Sequence, residues 1–364
     1  MTGSGRVGER AGEVGTEEEI VTTVGEVRQV AASVLQEAGM PTECARRTAW
    51  ALAMAEAWGR GSHGILRLPH YLRRFQEGGT NPGAQLRLVS SAGAVTVLDG
   101  DNGLGHWQAW EGARQATAIA GRLGAGVVAI RNSGHCGVLG LYVLPMLEAR
   151  MVGLAFSNGP AAIPPWGGHK PVLSTGPIAG GFPGSPSPAI VDLSTSAISR
   201  GVIAQAAASG RPLPDGVAFD SEGRPTTDAQ AALAGMLAPM GGAKGFGLGF
   251  LVEAITGALV GPRLSAEIAD PLNPEAAGAS QGVALLLLAI NPMSVSPEGS
   301  AHERWARLQH EVRSAGGRSP GSGRQLDPPD SHPLTLARNV VGAVAEAVRS
   351  RGVALPERWT RVSP

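Results

Sequence analysis

Apolar residues recur every three or four positions from Thr16-Glu17-Glu18-Glu19 through Val24, Val27, Val30, Val34 and Leu35. That spacing predicts a helix with acidic residues in its first turn, ended by Gly39. Pro41-Thr42-Glu43 opens a second, Ala-rich helix that reaches Trp58, and a third, around Leu66–Gln76, stops at Gly78-Gly79. The character then changes. Leu86–Val89 and Ala94–Asp99 read as strands joined by a turn, and Gly126–Ile130, Val152–Asn158, Ile190–Leu193 and Val283–Ile290 as further strands. Helices are expected over Gly112–Arg122, Tyr142–Arg150, Phe246–Leu259 and Leu334–Arg351, with a Gly/Ser/Pro-rich loop at Gly316–His332. The fold class is α/β: a mixed sheet with a helical N-terminal part.

Composition narrows the function. The chain has 364 residues, with 30 Lys+Arg against 30 Asp+Glu. A neutral chain gains little from counterion release, which argues against a nucleic-acid partner. Two cysteines, Cys44 and Cys136, exclude a disulfide framework and a Cys-rich zinc site, and no other spacing suggests a metal. Met1 to Glu19 has no apolar stretch of the signal-peptide kind. The longest clean apolar run, Val283–Ile290, is far short of the roughly 20 residues a bilayer requires. The expectation is a cytoplasmic protein with no membrane partner.

Two motifs fail on context. Gly59-Arg60-Gly61-Ser62-His63-Gly64 matches the dinucleotide fingerprint, but a helix precedes it where a strand is needed. Gly278-Ala279-Ser280-Gln281-Gly282 matches a nucleophile elbow, but its strand follows instead of leading.

Other residues offer chemistry. His63 sits on a glycine-flanked turn with Ser62, and Arg67 follows four residues on. A histidine titrating near neutrality suits proton donation, and a guanidinium fork suits a carboxylate. The alternative is a capping Ser beside a surface His. His135 lies just past a strand end, where α/β proteins place ligands, or is part of an ordinary turn. Asp192 sits inside an apolar strand, so it needs a partner, or it caps the next turn. Met240-Gly241-Gly242-Ala243-Lys244 opens a helix and makes an anion site.

In order, Ser62-His63-Gly64 with Arg67 and Tyr71, Asn132-Ser133-Gly134-His135, Asn158, Pro165-Trp166-Gly167-Gly168, Val191-Asp192-Leu193-Ser194-Thr195-Ser196 and Gly241–Leu248 resemble the malate/L-lactate dehydrogenase type 2 oxidoreductases over roughly residues 20–310. This group includes sulfolactate and ureidoglycolate dehydrogenases and Δ1-piperideine-2-carboxylate reductase. The resemblance implies a family-specific NAD(P)-binding fold that is not a Rossmann domain, a small carboxylate substrate, NAD or NADP as cofactor, and a homodimer. It implies His63 as proton donor, with Ser62 and Asp192 as its relay partners. Arg67, His135 and Thr175 would bind substrate. Ala189, Ile190, Val191, Asp192, Leu193, Ser194, Ala243 and Lys244 would bind cofactor, with Pro320 and Gly321 as a third cofactor segment.

The implied organisation is a disordered leader over 1–18 and a helical part over 19–80 that carries the catalytic turn and packs with the C-terminal helix. A cofactor- and substrate-binding α/β part follows over 81–310, then a loop and helix over 311–364. Cys136, Gly176, Gly201-Val202 and Ala243 depart from the family pattern and bear on substrate. The implied activity is hydride transfer between a 2-oxo and a 2-hydroxy acid. A cyclic imine reductase and a non-catalytic binding paralogue are the alternatives.

Overall fold

The computed structural model describes residues 19–270 and 274–362, so the expected leader lies outside the described residues. The chain opens with β1 (Glu19–Thr23) and α1 (Val24–Glu37). Glu19, expected in the acidic first turn of the helix, instead opens a strand, and the rest of that expected turn lies outside the described residues. The β-branched run Ile20-Val21-Thr22-Thr23 favours extended backbone, and it pairs antiparallel with Pro333–Ala337. Thr23 then caps α1: its hydroxyl accepts from Glu26 N at 3.2 Å while the Glu26 carboxylate accepts from Thr23 N at 3.1 Å.

α2 (Thr42–Ala57) leads through two 3-10 turns, Gly61–His63 and Ile65–Arg67, into α3 (Leu68–Gln76). Next come β2 (Arg87–Ala92), β3 (Val95–Asp99), α4 (Gly105–Leu123) and β4 (Ala125–Ser133). A 3-10 turn, Leu139–Val143, runs into α5 (Leu144–Glu148), followed by β5 (Val152–Ser157), β6 (Ile178–Phe182), β7 (Ala189–Leu193) and α6 (Arg200–Ala208). Short β8 (Ala218–Phe219), α7 (Ala229–Leu233) and β9 (Met236–Leu237) precede α8 (Ala243–Glu253), which continues as a π-helical stretch, Ala254–Val260. The chain closes with β10 (Val283–Ile290), α9 (Pro292–Val295), α10 (Ala301–Ser314), β11 (Pro333–Ala337), α11 (Arg338–Arg349) and α12 (Glu357–Thr360). The start of the last expected helix, Leu334–Ala337, is thus the partner strand of β1.

Seven strands form one sheet in the order β2-β3-β4-β10-β5-β6-β7. Only β3 and β4 run parallel; every other neighbouring pair is antiparallel. A doubly wound dinucleotide fold needs a parallel sheet, so this is a different architecture. β10 lies at the centre, and its near-continuous apolar sequence follows from burial on both faces. α4 covers one face. Its small residues permit the close approach: a Cβ at Gly112 would stand 2.9 Å from Ile130 Cδ1. The sequence reading missed β6, because Gly180-Gly181 weakens a strand signal. Packing demands it there, since a Cβ at Gly181 would stand 2.7 Å from Val143 Cγ2.

A second core joins Val27, Val34, Leu52 and Leu72 to Val341, Val344, Val348 and Trp359, so α1–α3 share an interior with α11 and α12. A third, smaller core gathers Ile163, Leu173, Ile203 and Leu237. Ala243–Val260 is long and apolar enough to cross a membrane by length and composition. Gly245, Gly249, Val252 and Thr256 face the protein. Leu248, Phe250, Leu251 and Leu259 are exposed.

Candidate active site

The turn between α2 and α3 meets the ends of β4, β5 and β7 around a cavity of about 530 Å³. Glu56, near the end of α2, shapes that turn. Its Oε1 accepts from Ile65 N at 2.8 Å, and a Cβ at Gly64 would overlap its carboxylate. Burial pushes the Glu56 carboxyl up. Ser62, His63 and Arg67 line the cavity from this turn. Ser62 Oγ and His63 Nδ1 are 3.0 Å apart. Arg67 Nε donates to Ser62 O at 2.7 Å, so one edge of the guanidinium fixes the turn and the terminal nitrogens remain for a ligand.

The sequence suggests a histidine titrating near neutrality, and the structure corrects this. Burial, then the cations Arg67 and Arg60, lower His63 to about 4. Among the described residues no acid opposes them, so the ring is neutral at pH 7.

His135 approaches from the loop after β4. Its backbone is held by Gly105 N donating to His135 O at 3.1 Å and by Gln281 Oε1, which accepts from His135 N at 3.2 Å. The His63 and His135 rings stack with centroids 5.7 Å apart. The Tyr71 hydroxyl lies 2.7 Å from His135 Nδ1. Asn132 turns the chain at φ +53° and bonds to Asp99, so its role is structural. Asn158 ties Ala284 N to Arg263 O across the cavity wall.

Asp192 enters from β7, an edge strand of the sheet. Burial raises its carboxyl; Arg324, Arg60 and the Gly140 amide oppose that rise. Of the two residues expected to relay to His63, Ser62 bonds to it. Asp192 shares the cavity wall but makes no hydrogen bond to His63 among the described residues. Leu193 and Ser194 also line the cavity.

Behind β7, Ile190 N donates to Pro320 O at 3.0 Å. Gly321, at φ +75°, lies so close that a Cβ would stand 3.0 Å from Ile190. The segments Ala189–Ser194 and Pro320-Gly321 therefore form one place. Beside them, Arg324 lies over Trp58 at 4.7 Å, and its buried Nη1 has no hydrogen-bond partner among the described residues. Thr175 lines the cavity, and its carbonyl accepts from Thr195 N and Oγ1 at 2.7 and 2.9 Å. Ala243 and Lys244 start α8 as exposed residues outside the cavity lining, joined to the site through Met240 N, which donates to Thr195 O at 2.8 Å.

Two of the unusual positions are tightly packed. A Cβ at Gly201 would stand 3.2 Å from Ser62 Cβ, and Gly176 takes φ +47° against Thr195. Ser280 is occupied by Arg263, whose Nη1 donates to Ser280 O at 2.6 Å. Sequence reasoning missed Glu56, Gln281 and Arg324. Only for Glu56 was there a signal: an acid at the end of an Ala-rich helix, just before a run of glycines.

Residues 22–327 match the family model for malate/L-lactate dehydrogenase. The (2R)-3-sulfolactate dehydrogenase (NADP(+)) of Chromohalobacter salexigens is 39% identical over 300 residues, 82% of this chain and 89% of that protein. A Δ1-pyrroline-2-carboxylate/Δ1-piperideine-2-carboxylate reductase of Pseudomonas putida is 32% identical over 302 residues, 82% of this chain and 88% of that protein. The solved sulfolactate dehydrogenase of Methanocaldococcus jannaschii superposes with a TM-score of 0.80 at 29% identity, covering 92% of this chain and 98% of that one. On sequence and architecture together, the chain belongs to the malate/L-lactate dehydrogenase family.

Proposed function

We propose that this protein is an NAD(P)-dependent oxidoreductase acting on a small 2-oxo or 2-hydroxy acid, with His63 carrying the proton. The observation behind this reading is one turn that presents Ser62, His63 and Arg67 to the cavity edged by Asp192. Arg67 holds the substrate carboxylate through its terminal nitrogens, which fixes the 2-carbon relative to His63. His63 receives the hydroxyl proton on oxidation and returns it on reduction.

A nicotinamide cofactor, when bound, supplies or takes up the hydride. The residues at the β7 edge fit such a group. Gly321 brings the Pro320 loop tight against Ile190, and the orphaned Arg324 Nη1 beside it is a buried donor suited to a phosphate oxygen. Ala189–Ser194 and Pro320-Gly321 would hold it. Ala243 and Lys244, exposed at the start of α8, would contribute to holding it.

A second reading, reduction of a cyclic imine next to a carboxylate, is favoured by the likeness to the Pseudomonas putida reductase. It needs the same proton carrier and the same anchor. The deciding assay follows the near-ultraviolet absorbance of NADH and of NADPH with purified protein against 2-oxo acids and cyclic imino acids. Turnover of a 2-oxo acid supports the first reading. Turnover of imines alone replaces it with the second. No turnover and no nucleotide binding overturns both.

The protein is proposed to work as a homodimer that covers the exposed face of Ala243–Val260. Leu248, Phe250, Leu251 and Leu259 are 42%, 60%, 50% and 75% exposed, a concentration of apolar surface that marks an interface. Phe250→Glu with Leu251→Glu should convert a dimer into a monomer in light scattering coupled to gel filtration. A wild-type protein that is already monomeric at assay concentration overturns this.

A further inference from the structure

Tyr71 is one of the most deeply buried large side chains in the protein, 1% exposed at the foot of the cavity. Burial pushes its phenol up, so it stays protonated throughout the working range. Its hydroxyl makes one hydrogen bond among the described residues, with His135 Nδ1 at 2.7 Å. His135 is driven well below its ordinary value by burial first, then by His63, Arg67, His106 and His70. No acidic side chain is among the groups that set its charge. Two neutral groups therefore share one hydrogen bond, and only two arrangements exist.

In the first, Tyr71 donates its O–H to Nδ1, and the ring carries its proton on Nε2. In the second, Nδ1–H donates to the phenol oxygen, and the phenol proton is left in a buried site with no acceptor among the described residues. Leaving a buried donor unpaired forfeits its full desolvation penalty, so the first arrangement prevails. An imidazolium at His135 strands the same phenol proton, so Tyr71 opposes that form too. The remaining nitrogen, Nε2, has no hydrogen-bond partner among the described residues and is not among the buried unpaired atoms, so it opens on the cavity that His135 lines. His106 is the contrast: it packs edge-on to Tyr71, and both of its nitrogens are buried and unpaired.

We propose that Tyr71 is a positioning residue that locks His135 in the Nε2–H tautomer, making it a fixed hydrogen-bond donor to a substrate oxygen. This rests on the substrate site proposed above. The two stacked imidazoles then have separate tasks. His63 faces the half-buried hydroxyl of Ser62, which can turn to donate or accept, so its ring can change protonation state. His135 faces a phenol with one permitted orientation, so it donates without exchanging its proton.

The experiment is long-range proton–nitrogen NMR of 15N-histidine protein without substrate, with His135 assigned by loss of its signals in His135→Gln. The wild type should show His135 as the Nε2–H tautomer from pH 6 to 9. Tyr71→Phe should show mixed tautomers. Its kcat/KM should fall by about 10- to 100-fold, with more of the loss in kcat than in KM. A wild-type His135 protonated on Nδ1, or charged at pH 7, overturns the proposal even if Tyr71→Phe does not fold. So does a folded Tyr71→Phe protein that keeps the pure Nε2–H tautomer. The tautomer is read without turnover, so failure of the substrate reading shows separately, as a correct tautomer in a protein inactive on every substrate of the panel.

Discussion

Replacing His63 with Ala is expected to lower kcat by about 10²- to 10⁴-fold while nucleotide affinity stays within a few-fold of wild type. The two effects separate because the groups come from different parts of the chain. His63 stands on the turn between α2 and α3, and the proposed cofactor segments stand on β7 and the loop around Pro320-Gly321. The turn itself does not need the imidazole. It is held by Glu56 on Ile65 N, by Arg60 O accepting from His63 N at 2.8 Å, and by Arg67 on Ser62 O. None of these bonds uses the His63 side chain. Ser62→Ala should therefore be milder, about tenfold, since Ser62 only orients Nδ1. Steady-state kinetics with nucleotide titration by fluorescence separates the outcomes. Unchanged turnover in His63→Ala sinks the proton assignment. Joint loss of turnover and nucleotide binding makes the residue structural.

Much of this arrangement is legible in the sequence, and the parts that are not share a cause. The helices over Thr42–Ala57 and Leu68–Gln76, the strand Val283–Ile290 and the glycine-bounded Ser62-His63 turn follow from local period and local breakers. So does the failure of the Gly59–Gly64 fingerprint, which lies between two helices and not after a strand. The misses depend on partners far away in sequence. β1 is a strand because Pro333–Ala337 lies beside it, and β6 is a strand because β5 and β7 flank two glycines. Gln281 reaches His135 over 146 positions, and Arg324 reaches Asp192 from a loop that reads as featureless. Local chemistry placed His63 and Arg67 correctly on one turn but gave the wrong charge state, because burial is a property of the assembled cavity.

That charge state sets the second large effect. With His63 lowered to about 4 by burial and by Arg67 and Arg60, the free enzyme holds a neutral imidazole at every pH above about 5. A neutral ring is the form that accepts a proton, so kcat/KM for oxidation of the hydroxy acid should be flat from pH 6 to 9. Reduction needs the imidazolium, whose fraction falls about tenfold for each pH unit above its pKa. Reductive kcat/KM should therefore fall about tenfold per unit over the same range, roughly a thousandfold in all. The overall equilibrium imposes the same difference, because reduction consumes one proton and the two rate ratios must reproduce it. Substrate modifies the picture in a defined direction. A bound carboxylate neutralises Arg67, removing the larger of the two charge effects on His63, so its pKa rises in the complex. The fall in reductive kcat should then begin at higher pH than the fall in kcat/KM. Initial rates in both directions, with NADH or NADPH as the assay dictates, test this. Oxidative kcat/KM that declines below an inflection near pH 7 would mean that another group, or a differently charged His63, carries the proton.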